Sequence, residues 1–194
     1  MKRIATINRQ TRETNITLTL NLDGSGQTGI NTGIGFLDHM LAALTLHAGW
    51  DLDLTCQGDL EVDDHHTAED CALALGRALD EALGERTAIN RFGWALAPLD
   101  EALCRAVVDL GVRPFCDVDL KLTREALGGI ACENLDHFVR SFATAGRFCC
   151  HLDLLKGAND HHKVEAGFKA LALALQQGLT RTAGAPVPST KGVL

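Results

Sequence analysis

Residues 63–84 read DDHHTAEDCALALGRALDEALG, and residues 159–178 read NDHHKVEAGFKALALALQQG. Each stretch opens with an acidic residue and two adjacent histidines, and places a glutamate four residues after the first histidine. Each then continues with apolar residues at helical spacing, which predicts a long amphipathic helix. Asp63 or Asp64 is expected to cap the first, and Gly84 to end it.

The surroundings repeat as well. Leu37-Asp38-His39 returns as Leu135-Asp136-His137, and 98 residues separate His39 from His137 where 96 separate His65 from His161. Residues 3–11 and 14–26 read as two strands, the second alternating Ile16, Leu18, Leu20 and Leu22 with polar neighbours. Residues 33–50 read as a helix closed by Gly49, residues 50–57 as a strand, and residues 63–84 as the helix quoted above. In the second half, residues 91–99 and 102–112 read as strands joined by a turn around Pro98, Leu99 and Asp100. Residues 113–120 extend the sheet, and a helix (131–147), a strand (148–157) and the second quoted helix follow. Strand, strand, helix, strand, helix thus occurs twice. The expectation is an α+β fold built from an internally duplicated half-domain. The halves, about 1–86 and 87–182, would be two-layer sheet/helix units packed as one compact body in a single domain spanning 1–194, with an irregular tail at 183–194.

Composition narrows the function. The 194 residues are 46% hydrophobic and 22% charged, as in an ordinary globular protein. A net charge of −7 argues against a general nucleic-acid binder, which needs a basic face. No apolar run suits a membrane span, and the N-terminus lacks the apolar segment of a secretory signal. The seven cysteines are odd in number and show no CxxC spacing, which points to buried reduced thiols in a cytoplasmic protein.

Six of the eight histidines fall in duplicated positions: His39 with His137, His65 with His161, His66 with His162. Residues i and i+4 share one helix face, so His65 with Glu69, and His161 with Glu165, can grip one cation each. The neighbouring His66 and His162 are turned by about 100° and suit a different ion. Six histidines and two glutamates divide into three His and one Glu for each of two related metals. The expected sets are His65, Glu69, His137 and His162 for one, and His161, Glu165, His39 and His66 for the other. Imidazole nitrogens with one carboxylate suit Mn²⁺, Fe²⁺ or Zn²⁺ rather than an all-oxygen Ca²⁺ or Mg²⁺ cage. A dinuclear hydrolase and a non-catalytic, metal-dependent assembly protein share this ligand count.

The motifs GFLDHML (35–41), DDHHTAED (63–70), NLDHF (134–138), NDHHKVEAGFKA (159–170) and PSTKG (188–192) together resemble the imidazoleglycerol-phosphate dehydratase family, from about Arg9 to the C-terminus. With no phosphatase domain ahead of it, the chain resembles the monofunctional form. The resemblance implies dehydration of imidazole-glycerol phosphate to imidazole-acetol phosphate in histidine biosynthesis. Two Mn²⁺ ions per site would act through a metal-bound imidazolate and a diazafulvene-like intermediate. It implies a homo-oligomer of 24 subunits with sites shared between chains. By the same resemblance Glu13 is the candidate for proton transfer, with Glu69 and Glu165 also placed in the catalytic set. His39, His47, His65, Glu69 and His161 would contact substrate. Arg91, Arg113, Ser189, Thr190 and Lys191 would hold its phosphate. Lys169, one turn beyond Glu165, would add a cation beside the metal.

Overall fold

The computed structural model describes residues 2–183. The first half holds strands β1 (Ile4–Gln10), β2 (Thr14–Asn21) and β3 (Thr28–Asn31), helix α1 (Gly35–Ala48), strand β4 (Asp51–Gly58) and helix α2 (His65–Leu83). The second holds β5 (Phe92–Leu99), β6 (Ala102–Asp109), β7 (Phe115–Asp119), the short pair β8 (Ala126–Leu127) and β9 (Ile130–Ala131), then α3 (Cys132–Ala145), β10 (Cys149–Lys156) and α4 (Asp160–Leu179).

Each half forms one four-stranded sheet of the same topology, in the orders β1-β2-β4-β3 and β5-β6-β10-β7. The edge strands β3 and β7 run parallel to β4 and β10, and the remaining pairs are antiparallel. The expected order of elements therefore lacked β3 in the first half, whereas residues 113–120 do extend the second sheet as β7. β3 is four residues long and no residue in it is fully buried, so it carries no alternation to read. The β8/β9 hairpin was missed for the same lack of length.

Strand alternation decides the inner faces. Ile16, Leu18 and Leu20 are buried and pair across β4 with Cys56, Leu54 and Leu52. In the second sheet Cys104, Ala106 and Val108 pair across β10 with Leu154, Leu152 and Cys150, again buried. Helices cover these faces: α2 lies on β1 and β2, α1 on β3, α4 on β5 and β6, and α3 on β7. The helices then pack across the repeat, α1 against α4 and α2 against α3. Two glycines set these approaches. A Cβ on Gly93 would stand 1.9 Å from the Ala174 carbonyl oxygen, and one on Gly76 would stand 2.6 Å from that of Phe142.

Three details refine the sequence reading. Pro98 and Leu99 belong to β5, and the turn is Asp100-Glu101, with Leu99 facing Ala102. β5 is an edge strand, where the missing proline N–H costs no ladder bond. At α2 the N-cap residue is Asp64, which makes no side-chain cap because its carboxylate turns to the other half, while Asp63 Oδ1 accepts the His65 N–H at 2.8 Å. All seven cysteines are unpaired, but Cys116 and Cys149 are only half buried.

The outer faces of the two sheets differ. The first is polar, with Thr6, Asn8, Thr17, Asp53 and Thr55 exposed. The second exposes Phe92, Trp94, Leu96, Val107 and Phe115, with Trp94 60% accessible and paired across to Val107.

Candidate metal centre and its surroundings

Cross-repeat helix packing brings the histidines together. α1 supplies His39 to the His161 and Glu165 of α4, and α3 supplies His137 to the His65 and Glu69 of α2. In each group the ligand atoms lie within 4.8 Å of one another. His39 Nε2 and His161 Nε2 each stand 3.2 Å from Glu165 Oε2. His137 Nε2 stands 3.1 Å from Glu69 Oε1, and His65 Nε2 3.9 Å from Glu69 Oε2. Metal–ligand bonds of about 2.1 Å put neighbouring donors roughly 3.0–3.4 Å apart in octahedral or tetrahedral geometry. The donor set and three of the four His–Glu spacings fit one divalent transition ion per group, with positions left open.

The imidazoles are oriented by partners outside the groups. Asn134 donates its Nδ2 to Asp64 Oδ2 at 2.9 Å, which turns its Oδ1 toward His65 Nδ1, also at 2.9 Å. His65 therefore donates from Nδ1 and keeps a lone pair on Nε2. The His65 and His137 rings stack with centroids 5.0 Å apart, and Phe36 meets the His161 ring edge-on at 5.1 Å.

His66 and His162 stand outside both groups, so the fourth member expected for each metal is held elsewhere within one chain. His66 Nδ1 lies 3.0 Å from Asp59 Oδ2, and its Nε2 is 3.7 Å from Glu13 Oε1. His162 Nδ1 lies 2.7 Å from Glu101 Oε2, and its Nε2 is 3.8 Å from Asp100 Oδ2. Hydrogen bonding to Asp59 raises the pKa of His66, and the Glu101 contact raises that of His162. Glu101 itself is held down at about 2, first by the Asn159 N–H and then by His162.

The two groups are not chemically equal. Burial pushes the Glu165 carboxyl up, but Lys169 Nζ at 2.7 Å, with His39 and His161, outweighs it and holds it at about 2. The residue at the corresponding position of α2 is Leu73, so Glu69 has no such cation from its own helix. His47 sits beside the same group, its pKa lowered first by burial and then by Lys169.

Arg91 and Arg113 gather elsewhere. The Arg91 guanidinium grips Asp109 at 2.6 and 2.9 Å, and Arg113 adds to the positive field on that carboxylate. The Arg91 N–H donates to the Gly178 carbonyl, near the end of α4 opposite the histidines. Ser189, Thr190 and Lys191 lie outside the described residues. The sequence reading gives no site role to Asp59, Asp100, Glu101 or Asn134. One signal was available: Glu13 and Glu101 each immediately precede the second strand of their half.

Fold and site together define an internally duplicated α+β protein with two related His–Glu–His groups at its cross-repeat helix contacts. Residues 32–175 match the family model described as imidazoleglycerol-phosphate dehydratase. The chain belongs to the imidazoleglycerol-phosphate dehydratase family, hydro-lyases of histidine biosynthesis. It is 52% identical over 209 residues to the Candida glabrata imidazoleglycerol-phosphate dehydratase, covering 98% of this chain and 100% of that one. It is 54% identical over 192 residues to the enzyme of that name from Phytophthora nicotianae, covering 99% of this chain but 42% of that longer relative. The crystal structure of imidazoleglycerol-phosphate dehydratase from Staphylococcus aureus superposes with a TM-score of 0.84 at 36% identity, covering 92% of this chain and 99% of that one.

Proposed function

We propose that this chain dehydrates imidazole-glycerol phosphate to imidazole-acetol phosphate, using two divalent transition ions, Mn²⁺ first among them. The observation that carries the metal dependence is the pair of His–Glu–His groups with donors mostly 3.1–3.2 Å apart. The proton to be removed sits on a carbon with no adjacent carbonyl, so it is barely acidic. Bound ions supply Lewis acidity to the imidazole ring and a diol oxygen, making a diazafulvene-like path accessible. Glu13, whose carboxylate faces His66, is the candidate for moving the proton. Lys169 sets the charge of Glu165, and Arg91, Arg113, Ser189, Thr190 and Lys191 are the candidate phosphate holders.

Geometry favours sites shared between chains. Arg91 lies against Gly178 while His161 stands at the other end of α4, seventeen residues away. At 1.5 Å per residue that is about 25 Å. A molecule the size of imidazole-glycerol phosphate does not bridge that span. If the arginines and the histidines serve one substrate, they come from different copies. The apolar outer face of the second sheet is the surface for such contacts, in a homo-oligomer of the 24-subunit kind.

Two measurements test this. The purified Mn²⁺-loaded chain should release water from imidazole-glycerol phosphate, and Glu13→Gln should abolish turnover while metal content stays at the wild-type level. Hydrolysis of phosphate esters without the dehydrated product would favour a dinuclear hydrolase. Metal-dependent assembly without turnover would favour a structural role. Separately, Trp94→Glu should reduce the particle to smaller species in sedimentation velocity. The residue is exposed, so the fold should change by no more than about 0.5 kcal/mol. An unchanged sedimentation coefficient would clear this face of any part in assembly.

A further inference from the structure

We propose that Asp59 and Glu101 are positioning residues that fix His66 and His162 as Nδ1–H tautomers and so present their Nε2 atoms as additional ligands for the divalent ions. The inference rests on the metal reading above and goes beyond it to residues that touch neither ion nor substrate.

The contacts are the same in both halves although their sources differ. Asp59 follows β4, whereas Glu101 sits in the turn between β5 and β6. Two non-equivalent loops thus deliver a carboxylate to the Nδ1 of the second histidine, at 3.0 and 2.7 Å. An ionised carboxylate only accepts, so each Nδ1 must carry a proton, and in the neutral ring, the form that can ligate, the lone pair is left on Nε2. A carboxylate on the far nitrogen of a ligating imidazole is the recurrent way to fix its tautomer and raise its basicity. Glu101 is itself anchored, its Oε1 accepting the N–H of Asn159 at 2.8 Å and of Ala158 at 3.2 Å. Those bonds tie the β5–β6 turn to the loop that starts α4, so the carboxylate and the imidazole are held in one frame.

That anchoring makes Glu101→Gln a sharp probe. The amide oxygen stays with the two backbone N–H groups, and the NH₂ then faces His162 Nδ1. The ring is driven to the Nε2–H tautomer, which cannot ligate. Asp59→Ala instead removes the carboxylate that faces His66. Mn²⁺ titration should show binding about 10–100-fold weaker in each variant, the range for loss of an outer partner of a metal ligand. In the metal-free chain, imidazole ¹⁵N shifts should show His162 as the Nδ1–H tautomer in wild type and shifted toward Nε2–H in Glu101→Gln. The metal-free melting temperature of Asp59→Ala should hold. Wild-type Mn²⁺ affinity in both variants overturns the inference, as does a lowered metal-free melting temperature with unchanged affinity, which would mark a purely structural role. A wild-type chain that binds no Mn²⁺ would show instead that the metal reading has failed, and the inference would fall with it.

Discussion

His65→Ala should leave the chain with one of its two metal equivalents and cut turnover by more than about 100-fold. The site proposed around His65, Glu69 and His137 has three donors in reach among the described residues of one chain. Removing one leaves this group with a carboxylate and a single imidazole, which even with an additional imidazole from His66 or His162 is a poorer ligand set for a first-row ion. Loss of an outer-shell partner already costs about 10–100-fold, so loss of a ligand should exceed it. The substitution is otherwise mild. The His65 side chain is 44% exposed at the start of α2, away from the core, so the metal-free melting temperature should barely move. His161→Ala should do the same at the other group, where Lys169 remains to hold Glu165 ionised. Elemental analysis of the purified variants decides the matter. Two metals retained per chain in His65→Ala would remove it from the ligand set.

Most of the candidate site could be read because helix geometry is short-range. The i,i+4 spacing of His65 with Glu69, and of His161 with Glu165, states which atoms share a face without any knowledge of the fold. The duplication then supplies the cross-repeat partners, since matched helices that pack pairwise bring His137 to one group and His39 to the other. What was not legible is the layer behind the imidazoles. Asp59 lies seven residues before His66 in a loop, Glu101 sits in a hairpin turn, and Asn134 reaches His65 from the opposite half. Those contacts depend on tertiary packing, and no sequence period encodes them. The same limit hid β3, whose pairing with β4 rests on backbone bonds at an edge rather than on a buried face. Lys169 was found by its spacing from Glu165. The separation of Arg91 and Arg113 from the histidines required the length and direction of α4 in place.

The second large effect is structural. Asp160→Asn should destabilise the metal-free chain by about 3–5 kcal/mol, the cost of leaving one partner of a buried ion pair uncompensated. Asp160 and Lys163 are 3% and 4% exposed, and Lys163 Nζ lies 2.7 Å from Asp160 Oδ1. Asp160 Oδ2 accepts three further bonds, from the N–H groups of Thr123 and Arg124 at 2.8 and 2.7 Å and from Thr123 Oγ1 at 3.1 Å. An asparagine has one acceptor oxygen where the site has donors on both sides. Its NH₂ must therefore face either the lysine ammonium or the backbone N–H groups. For a chain of this size the loss corresponds to a melting temperature roughly 6–20 °C lower. The acid limb should change as well. Burial raises the Asp160 pKa, but Lys163 and the backbone N–H groups outweigh it and hold it below the ordinary 3.8. A carboxyl depressed in the folded state contributes fully above its unfolded pKa and loses that contribution as pH falls through its folded value. The gap between wild type and Asp160→Asn should therefore be constant above about pH 5 and narrow toward pH 2. Replacing both partners by apolar residues, Asp160→Leu with Lys163→Met, should recover part of the loss, because no buried charge is then left alone. A single variant that melts with wild type would show that this pair and its four bonds carry no net stability.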